Sequence, residues 1–192
     1  MTEPVAAGPR SRVIRTSRLS LEAMHPDHAD DLWRAKEASL DELMPWMFWA
    51  ASNAPEAQAA FIHEAARLWD EDKQWTFAVV VDDVAVGTVS VDDVDRALEK
   101  AEIGYWLRSD LAGRRLMTEA ASAVVAFAFE EVALHRLELR AASGNLASIR
   151  VAEKLGFSRE GLLRHGARGA TGFHDAYLYG LLASDPRPGF HL

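Results

Sequence analysis

The chain has 192 residues, a formal charge of −8, 49% hydrophobic content and no cysteine. That length and apolar content can bury one core, and the absence of cysteine excludes a disulfide framework, a thiol nucleophile and a thiolate metal site. The acidic balance argues against non-specific nucleic-acid binding, and no apolar run is long and uncharged enough to span a bilayer.

The first twelve residues, MTEPVAAGPRSR, hold arginines with no apolar stretch behind them. They read as a flexible lead rather than a secretory signal, and a cytoplasmic residence is expected. Arg18 to Met24 alternates as a strand, with Leu19 and Leu21 inward and Arg18, Ser20 and Glu22 outward. Pro26 opens a helix to about Ala38, with Asp27 at its positive end and Leu32, Trp33 and Ala35 as its apolar surface. In residues 41–52, DELMPWMFWAAS, the consecutive Trp46, Met47, Phe48 and Trp49 cannot all face one core, and Pro45 interrupts any helix. The segment is either a junction packed between elements or an apolar wall beside a ligand cleft. Asn53 is placed to cap the next helix, with Glu56 as its capping-box partner. From Pro55 to about Asp70, Ala59, Ile62, Ala66 and Trp69 recur at helical spacing, and His63 reads as solvated or half-buried rather than catalytic.

Trp75–Val81 and Val84–Val91, joined by Asp82-Asp83, form a hairpin. Asp92, Asp93 and Asp95 resemble a cation cluster but lack the glycine and distal glutamate of a calcium loop, so they read as a solvated turn. The strand from Glu99 to Leu107 breaks at Asp110, turns through Ala112-Gly113-Arg114-Arg115 and enters an Ala-rich helix to about Val132. A glycine turn that opens a helix leaves several N–H groups pointing one way, and two arginines beside them suit a phosphorylated ligand. The alternative is an ordinary strand–turn–helix joint. His135–Ala141 is a strand, Ser143-Gly144-Asn145 a turn, and a helix over about Ala147–Leu155 stops at Gly156. Leu162–Arg164 reads as a short strand, Gly166–Gly172 with its three glycines as a mobile stretch, and His174–Leu182 as the closing strand before a tail with Pro186 and Pro188. This order gives a single α/β or α+β domain with a mixed sheet flanked by helices. The G-x-G-x-x-G fingerprint and the Walker lysine are absent, which excludes a Rossmann domain and argues against ATP or GTP chemistry.

Three stretches carry more. Taken together, IGYWL at 103–107, GRRLMTEA at 113–120 and NLASIRVAEKLGF at 145–157 resemble the GNAT superfamily of acyl-CoA-dependent N-acyltransferases. Within it the chain looks most like the Rim-type branch, whose named members acetylate the N-termini of ribosomal proteins. The resemblance is specific from Glu102 to Phe157 and general from Arg18 to Val91. It implies one domain over residues 13–183, with 1–12 and 184–192 as flexible tails. The family turn reads Gln/Arg-x-x-Gly-x-Gly/Ala. Here Asp110 replaces the Gln/Arg, Gly113 is the first glycine, and Arg115 stands where Gly or Ala is usual. The resemblance further implies that the central parallel strands splay around Tyr105 and Leu139 and admit the pantetheine arm of acetyl-CoA, the co-substrate. The cofactor-binding residues are then Leu107, Gly113, Arg114, Arg115, Leu116 and Asn145. Backbone N–H groups from Gly113 to Leu116 hold the pyrophosphate, and the two arginines add charge-assisted bonds. Asn145 either holds the pantetheine or orients the next turn.

Acylating an amine requires removal of a proton from the acceptor, a polarised thioester carbonyl and a neutralised leaving thiolate. Without cysteine, direct transfer in a ternary complex is the simpler route. Glu102 is the candidate base, directly or through a water, or else a solvated strand-end carboxylate. Ser148 is the candidate donor to the sulfur, or else a helix-start cap. Tyr177 and Tyr179, two apart, share a face and are alternative thiolate acids. The expected activity is an acetyl-CoA-dependent N-acetyltransferase. Its acceptor is a protein N-terminus or a small amine such as an amino-acid conjugate, polyamine or antibiotic. A non-catalytic acyl-CoA-binding module is the alternative. No metal, nucleic acid or membrane partner is expected, and monomer and homodimer are both open.

Overall fold

An eight-stranded sheet in the order β1-β2-β3-β4-β5-β6-β8-β7 runs through the computed structural model, which describes residues 10–52 and 54–187. The strands are β1 (Val13–Arg15), β2 (Ser20–Ala23), β3 (Trp75–Val81), β4 (Val84–Asp95), β5 (Lys100–Leu107), β6 (Arg136–Ala142), β7 (Ser158–Gly169) and β8 (Gly172–Leu182). The helices are α1 (Ala29–Glu37), α2 (Leu40–Leu43), α3 (Pro55–Asp70), α4 (Leu116–Glu130) and α5 (Leu146–Lys154), with 3-10 turns at Pro26–His28, Phe48–Ala51 and Ser109–Leu111. The cap expected of Asn53 lies outside the described residues, as does Pro188; Ala54, directly before α3, offers no side-chain cap.

The sheet has a core on each face. On one, α4 and α5 cover Phe77, Val89, Ile103, Leu137, Leu139 and Tyr179. The α4 sequence, LMTEAASAVVAFAFE, is buried on most of its circumference, because its alanines let the helix axis approach the sheet. On the other face, α1 and α3 place Leu32, Ala35, Ile62 and Ala65 over Ala78, Val80 and Trp106. Each fully buried Leu or Ile contributes roughly 1.5–3 kcal/mol. The buried face of α3 is Ile62, Ala65 and Trp69; Ala59, expected inward, is exposed. Its last turn reaches the first core, where Trp69 meets Phe77 edge-on at 4.9 Å.

All neighbouring strands are antiparallel except β5 and β6, which run parallel. That pair shares only Lys100↔Arg136, Ala101↔Leu137 and Glu102↔Glu138. Beyond Glu102, β5 follows β4 as far as Leu107↔Gly87, and β6 follows β8 as far as Ala142↔Ala176. A wedge opens between them. The two-residue repeat of the strand turns the main-chain groups of Tyr105 towards it.

Three stretches differ from the sequence expectation. Residues 166–172 are the end of a hairpin, with Ala167↔His174, Arg168↔Phe173 and Gly169↔Gly172 in register, and Leu162–Arg164 belongs to the same long β7. The hairpin is seated by Ala170 N–H on the Met44 carbonyl at 2.8 Å. A Cβ on Gly169 would stand 2.1 Å from the Pro45 carbonyl oxygen, so glycine is required for that approach. Strand β1 has too short a pattern to announce itself and is defined by pairing with β2. Ahead of and within that start, Arg10 is ion-paired to Asp72 and Arg12 to Asp70.

Candidate active site

The loop from β5 to α4 is shaped by two left-handed residues. Gly113 has φ 78°, and Arg115, directly before α4, has φ 64° and ψ 10°. For a residue with a Cβ this conformation costs about 1–2 kcal/mol. No side chain caps α4. Among the described residues no acceptor pairs with the N–H groups of Gly113 to Thr118; the first helical bond is Glu119 N–H to the Arg115 carbonyl. The result is a row of free donors at the positive end of a 15-residue helix, flanked by the exposed Arg114 and Arg115. Leu116 is buried and anchors the helix start. Asp110, which replaces the usual cation or amide, pairs with Arg108 at 2.6 Å, and that bond lowers its pKa.

Glu119, which sequence reasoning passed over, fixes this loop from below. Its carboxylate accepts from Thr16 Oγ1 at 2.6 Å, Ser17 Oγ at 3.0 Å, and Arg18 N and Nε at 3.0 and 2.7 Å. Burial pushes the carboxyl pKa up, but these bonds together outweigh it and hold the group ionised. Arg18 also donates to the Arg114 carbonyl at 2.9 Å, so the β1–β2 turn and the donor loop move as one.

At the other end of the wedge, the Tyr105 hydroxyl lies 2.9 Å from Ser148 Oγ and 3.3 Å from the Ser148 carbonyl. Burial raises the Tyr105 pKa well above the ordinary phenol value, with the Ser148 bond opposing, so the pair is neutral and can donate. The cap of α5 is Asn145, whose Oδ1 accepts from Ser148 N–H at 3.1 Å. Ser148 is therefore not the cap, and its hydroxyl is free for Tyr105. The C-terminal end is equally defined: Gly156 at φ 89° allows Phe157 N–H to reach the Ala152 carbonyl. Tyr177 and Tyr179 share a face, as expected. Tyr179 is buried in the core and Tyr177 sits under the Arg159 guanidinium, 4.7 Å from its ring, so it is Tyr105 that meets Ser148. Leu107 ends β5, half-buried against the same core.

A cavity of about 390 Å³ lies on the opposite face of β5, roofed by α3 and the Phe48–Ala51 turn. Met47, Trp49, Phe61 and Trp106 give it apolar walls, and Lys36 and Asp92 are its charged residues. The 46–49 run divides its labour: Met47 and Trp49 face the cavity, Trp46 packs on His174 at 5.5 Å, and Phe48 is exposed. His63 is exposed, as expected.

Asp92 corrects the expectation of a solvated turn. Strand β4 continues through Asp95, and Asp92 stands opposite Glu102. Its carboxylate accepts from Ser90 Oγ at 2.5 Å, while Oδ1 is buried without a partner. Burial first, then Asp93, pushes its pKa up to about 6, with the Ser90 bond and the nearby Gln74 amide opposing. Asp95 instead accepts the Ala97 and Leu98 N–H groups at 2.9 and 3.0 Å and closes the turn. Gly104 makes room for Asp92: a Cβ there would stand 2.9 Å from Asp92 Oδ2 and 3.2 Å from Ser90 Oγ. Glu102 is also not the solvated carboxylate of the alternative reading. Its Oε2 is buried without a hydrogen bond, 3.4 Å from Arg140, and burial raises its pKa while Arg140 opposes. Glu102 lies beside the cavity rather than among its lining residues.

A family model described as an acetyltransferase (GNAT) domain matches residues 18–158. The putative ribosomal N-acetyltransferase YdaF of Bacillus subtilis (strain 168) is 30% identical over 166 residues, which is 85% of this chain and 91% of that protein. Among solved structures, a probable acetyltransferase aligns with a TM-score of 0.83 at 27% identity, covering 88% of this chain and 96% of that one. Mycobacterium smegmatis RimJ in complex with CoA-disulfide aligns with a TM-score of 0.80 at 26% identity, covering 86% and 82%.

Proposed function

The chain belongs to the GNAT acetyltransferase family, and from that premise we propose that it moves an acetyl group from acetyl-CoA to a primary amine by direct transfer in a ternary complex. The observation that carries this is the meeting of two clefts on one strand. The wedge runs along the free edge of β5, and the cavity lies on its face at Gly104 and Tyr105. Two reactants held there are neighbours without a covalent enzyme intermediate, and proximity supplies most of the rate.

The N–H groups of Gly113 to Leu116, with Arg114 and Arg115, hold the pyrophosphate. Leu107 and the Tyr105 main chain flank the pantetheine. Asn145 orients the first turn of α5 and so places Ser148. As the amine nitrogen bonds to the acetyl carbon and the carbon–sulfur bond breaks, the Tyr105–Ser148 pair donates to the departing sulfur. Glu102 receives the amine's proton by way of water at the closed end of the cleft. The likeness to YdaF, a putative ribosomal N-acetyltransferase, favours a ribosomal protein as acceptor, and the apolar cavity favours a small amine.

Incubation of the protein with acetyl-CoA and a panel of amines, read by thiol release and product mass, tests the reading. Amine-dependent thiol release with an acetylated product is expected. A protein that binds CoA yet releases no thiol with any amine is an acyl-CoA-binding module, and the proposal fails.

A further inference from the structure

We propose that Asp92 anchors the acceptor, pairing with the ammonium group of a substrate that carries a single amine on an apolar body, and that Lys36 in the same cavity selects against polyamines. The inference rests on the acetyltransferase reading and names the substrate class of that site. Its first support is position. Asp92 lines the cavity, whereas Glu102, its partner in register, does not and faces Arg140 at 3.4 Å. Its second is an unmet bond. One oxygen of Asp92 is held by Ser90 and the other is buried with no partner. A buried carboxylate left half-satisfied is costly unless something arrives to complete it. An ammonium, with three donors and a positive charge, does so.

The third support is the missing side chain at Gly104. Asp92 Oδ2 lies 2.9 Å from where a Cβ would stand, over the strand whose free edge faces the wedge. An amine on Asp92 is therefore held beside the wedge at Tyr105, where the thioester belongs in the proposed mechanism. The remaining walls, Met47, Trp49, Phe61 and Trp106, suit an apolar or aromatic stem. Lys36 is 4% exposed and donates to the Ser52 carbonyl, and among the described residues no ion pair joins it to a carboxylate. A second cation on the acceptor would meet that charge in a poorly solvated space.

The test compares phenethylamine, spermidine and a short seryl peptide as acceptors for the wild type, Asp92→Asn and Lys36→Met, with CoA affinity measured separately by titration. Asp92→Asn keeps the shape of the side chain and should fold, which circular dichroism checks. It should raise the KM for phenethylamine by at least about tenfold, with kcat within about threefold and CoA affinity unchanged. Lys36→Met should raise kcat/KM for spermidine relative to phenethylamine by about fivefold or more. An unchanged amine KM in a folded Asp92→Asn, or a wild type that prefers spermidine, overturns the inference and leaves the acetyltransferase reading standing. A wild type that binds CoA and acetylates none of the three overturns that reading, and the anchor with it.

Discussion

Asp92 lowers the stability of the protein at the pH where it is useful. Its folded-state pKa of about 6 lies above the ordinary aspartate value, so folding favours the protonated form. The stabilising contribution is present below the ordinary value and is lost as pH rises through about 6, a cost of roughly 3 kcal/mol at neutral pH. The groups around it are Ser90 and Asp93 on its own strand, Gln74 ahead of β3, and Glu102 on β5. Asp92→Asn should therefore melt higher than wild type at pH 8, with the gap closing by about pH 4; a gap independent of pH means the carboxylate is not buried as described. Ser148→Ala should lower kcat by about 10²-fold, the lower range of proton-transfer catalysis. Its melting temperature should barely change, because Asn145 is the cap. Tyr105→Phe should lower kcat similarly, and a clear loss in only one of the two would identify the proton's source. Asn145 and Gly113 were legible as turn residues because their neighbours are local, whereas Ser148 was singled out by the family resemblance. Asp92 and Tyr105 were not legible. Asp92 takes its meaning from Gln74 and Gly104, on two other stretches, and Tyr105 from a serine 43 positions away.

Among the elements, α4 joins stability and ligand binding at one residue. Arg115 occupies the left-handed conformation that glycine adopts without strain, and it is also a cation beside six free N–H groups. Replacing it separates the two effects. Arg115→Gly should raise stability by up to about 1 kcal/mol through release of strain, whereas Arg115→Ala keeps the strain and should not. Both should weaken CoA binding by about 3- to 10-fold at low salt and less at high salt, as screening requires. Thermal melts and titrations at two ionic strengths decide it; tighter CoA binding in Arg115→Gly would show that the side chain obstructs the phosphate path. Helices were the most legible elements, because apolar spacing and the Gly156 stop mark them within one stretch. The hairpin arm was the least. Its glycines look like flexibility until Pro45, more than a hundred residues earlier, is seen against Gly169.

At the scale of the whole molecule, the sheet behaves as two half-sheets joined by three register pairs between β5 and β6. The family motifs predicted that wedge and its place near Tyr105 and Leu139, since a motif carries a fold with it. The cavity on the other face had no such marker, because α3, the Phe48–Ala51 turn and β4 build it jointly. The two clefts should be occupied by different reactants, and hydrogen exchange can tell them apart. The N–H groups of Gly113 to Thr118 have no acceptor and should exchange rapidly in the free protein, unlike the rest of α4. CoA should protect them together with the Tyr105 amide at the wedge. At about 100 times its Kd, CoA should also stabilise the fold by about 2.7 kcal/mol. Phenethylamine added afterwards should protect the Met47–Ser52 segment, which roofs the cavity, without further change at Gly113–Thr118. CoA binding that leaves Gly113–Thr118 unprotected would place the ligand elsewhere. Amine protection at the same amides as CoA would mean one cleft, and direct transfer between two reactants in adjoining clefts on β5 would then have no structural basis.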